Sequence, residues 1–164
     1  MLKLLIYAPC EKVIISDDQT ASIISVMETV NVNVAAEIPP DALAPLRWNI
    51  ISLWRKDEEI SDPIEIEERT DVLRPDGSVA TGGTTKFTVT TEHLMYRTLL
   101  QLAIFPIGQQ GIIKMKCRIR QVNPETEWTD FAEFPVLVTH QPVQIETTSP
   151  VAVAEAVPQA AKMD

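Results

Sequence analysis

The sequence is poor in the residues on which common catalytic and nucleotide-binding sites depend. Its 164 residues include only five glycines, two cysteines and two histidines, and 5% of them are aromatic. The glycines form neither a GxGxxG nor a GxxxxGK[ST] motif, which excludes phosphate-binding loops of these two types. A nucleophilic triad would need His93 or His140 as its base, and neither belongs to a recognisable catalytic motif. We therefore expect no enzymatic activity and no cofactor.

The cysteines and the short apolar runs limit the cellular compartments in which the protein is expected. Cys10 and Cys117 are far apart and belong to no CxxC or Cys/His cluster, so we expect two reduced thiols and no metal site. The apolar run after Lys3 is shorter than the roughly 7–15 residues of a secretory signal. No apolar run approaches the ~20 residues of a membrane span. These features predict a cytoplasmic protein that does not associate with a membrane.

Acidic residues outnumber basic ones and are concentrated in the first half of the chain. The sequence carries 14 Lys and Arg against 23 Asp and Glu, which gives a formal net charge of −9. Residues 1–82 contribute −8 of this charge and residues 83–164 contribute −1. Affinity for nucleic acid comes mainly from clustered Lys and Arg that displace counterions. We therefore expect no nucleic-acid partner, and any basic surface has to be local.

Apolar and β-branched stretches of about ten residues, separated by turn residues, dominate the chain and predict an all-β protein. Residues 93–105 fit both a strand and a helical face, and the neighbouring strands favour a strand. Seven to eight strands at this spacing are typical of a two-sheet antiparallel β-sandwich. The predicted strands lie at 2–15, 22–34, 47–56, from 64 onwards, and at 84–91, 93–105, 112–121 and 128–138.

Turn residues and a change of composition set the predicted boundaries. Asp and Ser at 16–20 and the sequence Pro75-Asp76-Gly77 within 74–78 predict turns, and Gly82-Gly83 predicts another. Three prolines at 37–45 predict a loop between the sheets, because proline cannot donate a backbone hydrogen bond. From residue 140 the chain has no aromatic residue and three evenly spaced prolines. We expect a domain at 1–139 and a disordered tail at 140–164.

Three features carry a resemblance to a family. They are a short first strand, the Pro75-Asp76-Gly77 turn in mid-chain, and the passage Phe105-Pro106-Ile107-Gly108 that continues through Gly111 into an alternating strand. The chain resembles an uncharacterised family of small bacterial β-sandwich domains over residues 2–138. The resemblance implies the sandwich fold and a bacterial or phage origin, and it attaches no catalytic residue.

The clearest charge pattern is a row of four cations at every second position, Lys114, Lys116, Arg118 and Arg120. Side chains alternate across a strand, so all four lie on one face with about 7 Å between neighbours. Such a row repels itself unless negative charge lies beside it. The alternating acids Glu65 and Glu67 could supply that charge from a neighbouring strand, or an acidic protein partner could. We name the four residues as the candidate partner-binding site and call them the basic row.

Two further patterns support an alternative ligand-binding function. Eight acidic side chains between Asp57 and Asp71 could bind calcium at a sandwich loop, although their spacing is also that of a solvated strand face. Trp48, Trp54 and Trp128 could stack on carbohydrate, although core packing is the better account of Trp48. Our leading hypothesis is a non-enzymatic structural or protein-interaction module within a bacterial or phage-encoded assembly. The alternative is a module that binds carbohydrate or calcium at the sandwich loops.

Overall fold

Within the residues described, the chain forms nine strands and no helix. This computed structural model describes residues 2–34, 36–57 and 60–143. The all-β prediction is therefore confirmed, and the strand interpretation of 93–105 is confirmed from Met95 onwards. The strands are β1 (Leu2–Ile15), β2 (Ala21–Val26), β3 (Thr29–Val34), β4 (Leu43–Lys56), β5 (Ile64–Leu73), β6 (Val79–Val89), β7 (Met95–Pro106), β8 (Gly111–Gln121) and β9 (Thr129–Pro142).

The strands form two sheets that pack face to face, as expected for a β-sandwich. One sheet has the order β2-β1-β4-β7 and the other has the order β3-β9-β8-β5-β6. All pairings are antiparallel except that of β3 with β9, which is parallel. The sandwich is confirmed, with nine strands in place of seven to eight and with one parallel pair in an otherwise antiparallel arrangement.

The extra strand arises because the predicted strand at 22–34 crosses from one sheet to the other. β2 belongs to the four-stranded sheet and β3 to the five-stranded sheet. At the crossing, the Met27 amide donates to the Pro9 carbonyl and the Glu28 carbonyl accepts from the Leu137 amide, both at 2.9 Å. Glu28 is also the residue that interrupts the apolar alternation of this segment. A charged residue in an apolar face therefore marks the point where the chain changes sheets.

The distal half of the β1–β2 hairpin bends back over the outer face of the four-stranded sheet. Val13 and Ile23 pack on a cluster that includes Ile51 of β4. Ser52, the next residue, reaches between the two sheets, so Ile51 points outward. At the hairpin tip, the Gln19 carbonyl accepts a hydrogen bond of 3.0 Å from the Arg97 guanidinium on β7. The hairpin thus covers part of the sheet that would otherwise expose an apolar face.

Two large aromatic side chains are buried in the core between the sheets. Trp48 and Trp54 are buried, and each belongs to a separate apolar cluster. The Trp48 ring meets Phe105 edge to face at 5.4 Å, and its indole N–H donates to the Ile104 carbonyl at 2.9 Å. The interpretation of Trp48 as a core residue is confirmed, and the same now applies to Trp54.

Three predicted boundaries were wrong. Gly82 and Gly83 lie inside β6 and form no turn. Position 82 needs glycine for a different reason, because a Cβ there would collide with the Thr70 carbonyl oxygen on β5. The predicted loop at 37–45 is shorter, since β4 begins at Leu43. Residues 140–142 extend β9 and pair with β3, so they are not part of a tail. Residues 144–164 of the predicted tail lie outside the part of the chain that is described.

The Pro75-Asp76-Gly77 turn is confirmed between β5 and β6. Gly77 has a φ of 84°, which glycine adopts at little cost. The Asp76 carboxylate accepts hydrogen bonds from the Ser78 amide and from the Gln109 side chain, both at 2.8 Å. The contacts with Ser78 and then with Gln109 lower the pKa of Asp76 to about 2. The turn is therefore joined to the loop that follows β7.

Candidate functional site

The basic row lies on β8, in the interior of the five-stranded sheet. Its four side chains alternate with the buried side chains of Ile113, Met115, Cys117 and Ile119, so they share the outer face, as predicted. β8 is paired on one side with β5 and on the other with β9. The row therefore runs along the middle of a sheet face and not along an exposed edge.

Each cation of the row has a carboxylate partner in its own chain. On the β9 side, Lys114 contacts Glu133 at 2.9 Å and Lys116 contacts Asp130 at 2.7 Å. On the β5 side, Arg118 pairs with the buried carboxylate of Asp71. Arg120 contacts Glu67 of β5 at 2.8 Å and also pairs with Glu125 in the β8–β9 turn.

The sequence analysis identified one of these internal partners and missed the others. Glu67 pairs with the row as expected, whereas Glu65 pairs with Lys86 of β6 at 3.6 Å. Asp130 and Glu133 were missed because a bulge in β9 breaks the even spacing that would have placed both on one face. The outer face is thus a set of ion pairs that crosses neighbouring strands.

Trp128 adds an aromatic contact at one end of the basic row. This residue precedes β9 and is half-buried. The Arg120 guanidinium lies over its ring, 4.6 Å from the centroid, and Arg118 lies 6.0 Å away. Cations over a tryptophan face are attracted by its negative π cloud. Trp128 therefore supports the two arginines and is partly covered by them.

A buried polar cluster, centred on Glu68 of β5, lies between the sheets. Its carboxylate is 4% exposed and accepts hydrogen bonds from the Trp54 indole at 2.9 Å and the Thr98 hydroxyl at 2.7 Å. The Ser52 hydroxyl also donates to it, and the Cys117 thiol lies 3.8 Å away. The donors come from β4, β7 and β8, so this one carboxylate ties three other strands to β5. We call these residues the Glu68 cluster.

The nucleophilic side chains near this cluster are held in unreactive states. Burial raises the pKa of the Cys117 thiol, and the Glu68 carboxylate raises it further. Burial also raises the pKa of the Tyr7 phenol, an effect that its hydrogen bond with Thr70 partly offsets. A neutral thiol is a poor nucleophile. The arrangement therefore suits a structural role for these groups.

The raised thiol pKa predicts a loss of stability at alkaline pH. In the unfolded chain a cysteine ionises near pH 8.5, whereas buried Cys117 stays protonated to higher pH. Its contribution is complete below pH 8.5 and declines above it, by up to about 1.4 kcal/mol per pH unit. Urea unfolding between pH 7 and 10 should show this slope in the wild type and a shallower one in Cys117→Ala. Equal slopes would contradict the assignment.

The ring of one histidine contacts a threonine hydroxyl, and the ring of the other contacts a backbone carbonyl. The His93 ring contacts the Thr90 hydroxyl at 3.1 Å, before β7. The His140 ring contacts the Ile107 carbonyl oxygen at 2.7 Å, at the end of β9. The His93 contact lies within the β6–β7 loop, whereas the His140 contact joins β9 to the loop after β7. Among the described residues, Cys117 is not a partner of either ring.

The calcium and carbohydrate alternatives find little support in the geometry. Glu65, Glu67 and Asp71 of the acidic segment pair with cations, and Glu68 is buried among donors. Glu58 and Glu59 lie outside the described residues. Within those residues, no group of three or more His, Cys, Asp and Glu is placed to hold a metal ion. Trp48 and Trp54 are too deeply buried to stack on a sugar.

The outer side of the β1–β2 hairpin is exposed and apolar. Val13 and Ile23 of the hairpin pack against the sheet, and their neighbours Ile14 and Ile24 point the opposite way. Ile14 is 42% exposed and Ile24 is 38% exposed. Exposed Lys12, directly opposite Ile24, lies on the same side and has no carboxylate partner within the described residues. We call Lys12, Ile14 and Ile24 the hairpin face.

No helix in the described parts of the chain is long and apolar enough to cross a membrane. The chain matches no model of a protein family, and it matches no curated protein.

Proposed function

We propose that this chain is a non-enzymatic β-sandwich that binds another protein through the hairpin face. The observation that carries the proposal is the exposure of Ile14 and Ile24 on a hairpin whose Val13 and Ile23 pack against the sheet. When a partner buries an aliphatic side chain, binding gains about 25 cal/mol of free energy for each Å² of apolar surface removed from water. Exposed apolar groups concentrated in one place mark interaction surfaces more often than groups scattered singly.

The position of β2 in its sheet supports a particular kind of partner. β2 is the outermost strand of the four-stranded sheet and pairs with β1 alone within the described residues. An outermost strand offers a row of backbone donors and acceptors to which an extended segment can add. Lys12 on the same face favours a carboxylate in that segment. The partner we propose is therefore an extended, apolar segment with an acidic residue, contributed by a different protein.

The basic row is the weaker contact candidate. All four of its cations already have carboxylate partners, and the buried carboxylate of Asp71 would keep only Arg69 as a cation partner if Arg118 turned towards a partner. Losing one of its two cations is unfavourable for a buried carboxylate, because its desolvated charge is then less well compensated. A partner of the row would have to compete with these internal pairs, whereas a partner of the hairpin face displaces only water.

We further propose a cytoplasmic location and a bacterial or phage origin. The thiols of Cys10 and Cys117 are both free and buried, which suits a reducing compartment. Gly108 of the Phe105-Pro106-Ile107-Gly108 passage lies against Pro39 and Pro40, where a Cβ would collide with both carbonyl oxygens. A required glycine at this point supports membership of the small bacterial β-sandwich family, of which this passage is a feature.

The test compares two double variants in co-purification from the source cell. Ile14→Glu/Ile24→Glu places two charges on the hairpin face. Ile112→Glu/Leu137→Glu places the same charge on another exposed apolar pair, which lies on the five-stranded sheet. We expect one stoichiometric protein to be retained by the wild type and the control and lost from the hairpin variant. Its retention by all three, at equal yield, would overturn the proposal.

A further inference from the structure

One end of the sandwich contains an apolar cavity that the interaction proposal does not use. Its volume is about 320 Å³, and it opens between the ends of β4, β6 and β8 and the starts of β1, β5 and β9. Its floor is the buried core around Val89 and Ile119. The lining is mainly aliphatic, with one aromatic ring; its apolar members are Leu2, Ile60, Ile64, Ile66, Val89, Ile119 and Phe131.

A lysine on the wall of this cavity has one N–H donor left with which to bind an anion. The Lys56 ammonium donates to the carbonyl oxygens of Thr90 at 2.7 Å and of Thr91 at 2.9 Å. An ammonium carries three N–H donors, so one remains after these two bonds. No carboxylate among the described residues lies within ion-pair distance of Lys56. Its positive charge therefore lacks a local counter-charge in that part of the chain.

The second cation on the wall of the cavity already has carboxylate partners. Arg120 pairs with Glu67 and with Glu125, and its guanidinium also lies over the Trp128 ring. The remaining polar lining comes from Gln121, Thr126 and Thr129, which are neutral. The cavity thus combines a mainly aliphatic wall with one lysine that has no carboxylate partner among the described residues.

We propose that this cavity binds a small amphipathic carboxylate, with the carboxylate on Lys56 and a medium-length alkyl chain against the aliphatic wall. Binding cavities for small molecules range from about 300 to 1,000 Å³ and combine an apolar lining with a few placed polar groups. A volume near the lower limit suits one medium-length alkyl chain and not a polycyclic ligand. A charge-assisted hydrogen bond to the ammonium supplies the selectivity for the acid.

The experiment compares three probes that share an alkyl chain and differ in the head group: octanoate, octanol and octylammonium. Titrations are followed by amide chemical shifts of the intact chain. We expect saturable shifts at Ile64, Val89 and Ile119, with octanoate bound most tightly. Lys56→Met keeps the aliphatic stem and removes the charge, and it should weaken octanoate binding about tenfold or more while leaving octanol unchanged.

Two further variants complete the test. Lys86→Met makes the same change at an exposed lysine on β6, outside the cavity, and should leave octanoate binding intact. Ile64→Phe narrows the cavity and should weaken both octanoate and octanol. The proposal is overturned if octylammonium binds as tightly as octanoate, if Lys56→Met binds octanoate normally, or if no saturable shifts occur at the three amides.

Discussion

Replacing Glu68 with leucine is expected to lower the free energy of unfolding by about 3–5 kcal/mol. The substitution removes the acceptor of three buried donors, namely the Ser52 and Thr98 hydroxyls and the Trp54 indole. A buried donor that loses its partner costs about 1–3 kcal/mol. Leucine regains part of this loss because it needs no hydrogen bonds, so the total is smaller than the sum of three donors.

Graded variants separate the acceptor from the shape of the side chain. Glu68→Gln keeps one acceptor oxygen and nearly the same volume, and we expect it to cost about 1–2 kcal/mol. Glu67→Gln makes the same change at the neighbouring residue, which faces outward and pairs with Arg120. We expect this control to cost less than about 1 kcal/mol, as is usual for surface ion pairs.

Urea unfolding at pH 7 measures all three variants. The expected order of destabilisation is Glu68→Leu, then Glu68→Gln, then Glu67→Gln. If Glu68→Leu is too unstable to fold, Ser52→Ala and Thr98→Val should partly restore it, because removing both partners of a buried hydrogen bond costs less than removing one. A Glu68→Leu variant as stable as the Glu67→Gln control would show that the Glu68 cluster does not hold the sheets together.

Reversing all four charges of the basic row should prevent folding at physiological salt. The variant Lys114→Glu/Lys116→Glu/Arg118→Glu/Arg120→Glu changes the net charge by −8, from −9 to −17. Each new carboxylate lies beside an existing one, and Asp71 is buried. Like charges directly opposite each other destabilise a sheet. Asp71 keeps Arg69 as a partner but gains a carboxylate at position 118 in place of a cation, and breaking a buried ion pair costs about 3–5 kcal/mol. The total is comparable with the 5–15 kcal/mol that stabilises an ordinary domain.

Circular dichroism over a range of salt concentration tests this expectation. At about 1 M salt the screening length falls to roughly 3 Å, so some strand signal should return. The matched control exchanges lysine and arginine along the row, Lys114→Arg/Lys116→Arg/Arg118→Lys/Arg120→Lys, and keeps every charge. We expect the control to fold. A reversed variant with wild-type stability would mean that the ion pairs contribute nothing and that the row is available to a partner.

The strands and the sandwich could be predicted from the sequence because they depend on local alternation and on turn residues. β8 is the clearest case, since its cations alternate with buried apolar residues and place the basic row on one face. The turn at Pro75-Asp76-Gly77 was equally accessible, because it needs a positive φ that glycine supplies. Each of these two signals is contained within a few neighbouring residues of the sequence.

What could not be predicted depends on contacts between distant parts of the chain. Glu68 belongs to an acidic segment and alternates with Glu67, so nothing local distinguishes the carboxylate buried between the sheets from the one on the outer face. The cluster forms only when Ser52, Trp54 and Thr98 arrive from other strands. The break at Glu28 could have been interpreted as a change of sheet, because one charged residue interrupts an otherwise apolar face.

The hairpin face was missed for a related reason. The apolar residues of β1 and β2 gave a strand prediction, but the bend of the hairpin over Ile51 and towards Arg97 depends on the other strands of the sheet. Only that bend decides that Val13 and Ile23 are covered while Ile14 and Ile24 are exposed. We therefore propose the hairpin face, and not the basic row, as the contact surface.

Site-specific photo-cross-linking tests the hairpin face most directly. A benzoylphenylalanine is placed at position 24 of the hairpin face or at position 112, an exposed apolar site on the other sheet, and the source cells are irradiated. We predict one adduct with a different protein from position 24, its loss in the presence of Ile14→Glu, and no such adduct from position 112. An adduct with a second copy of the chain, or no adduct from position 24, would contradict the proposed function.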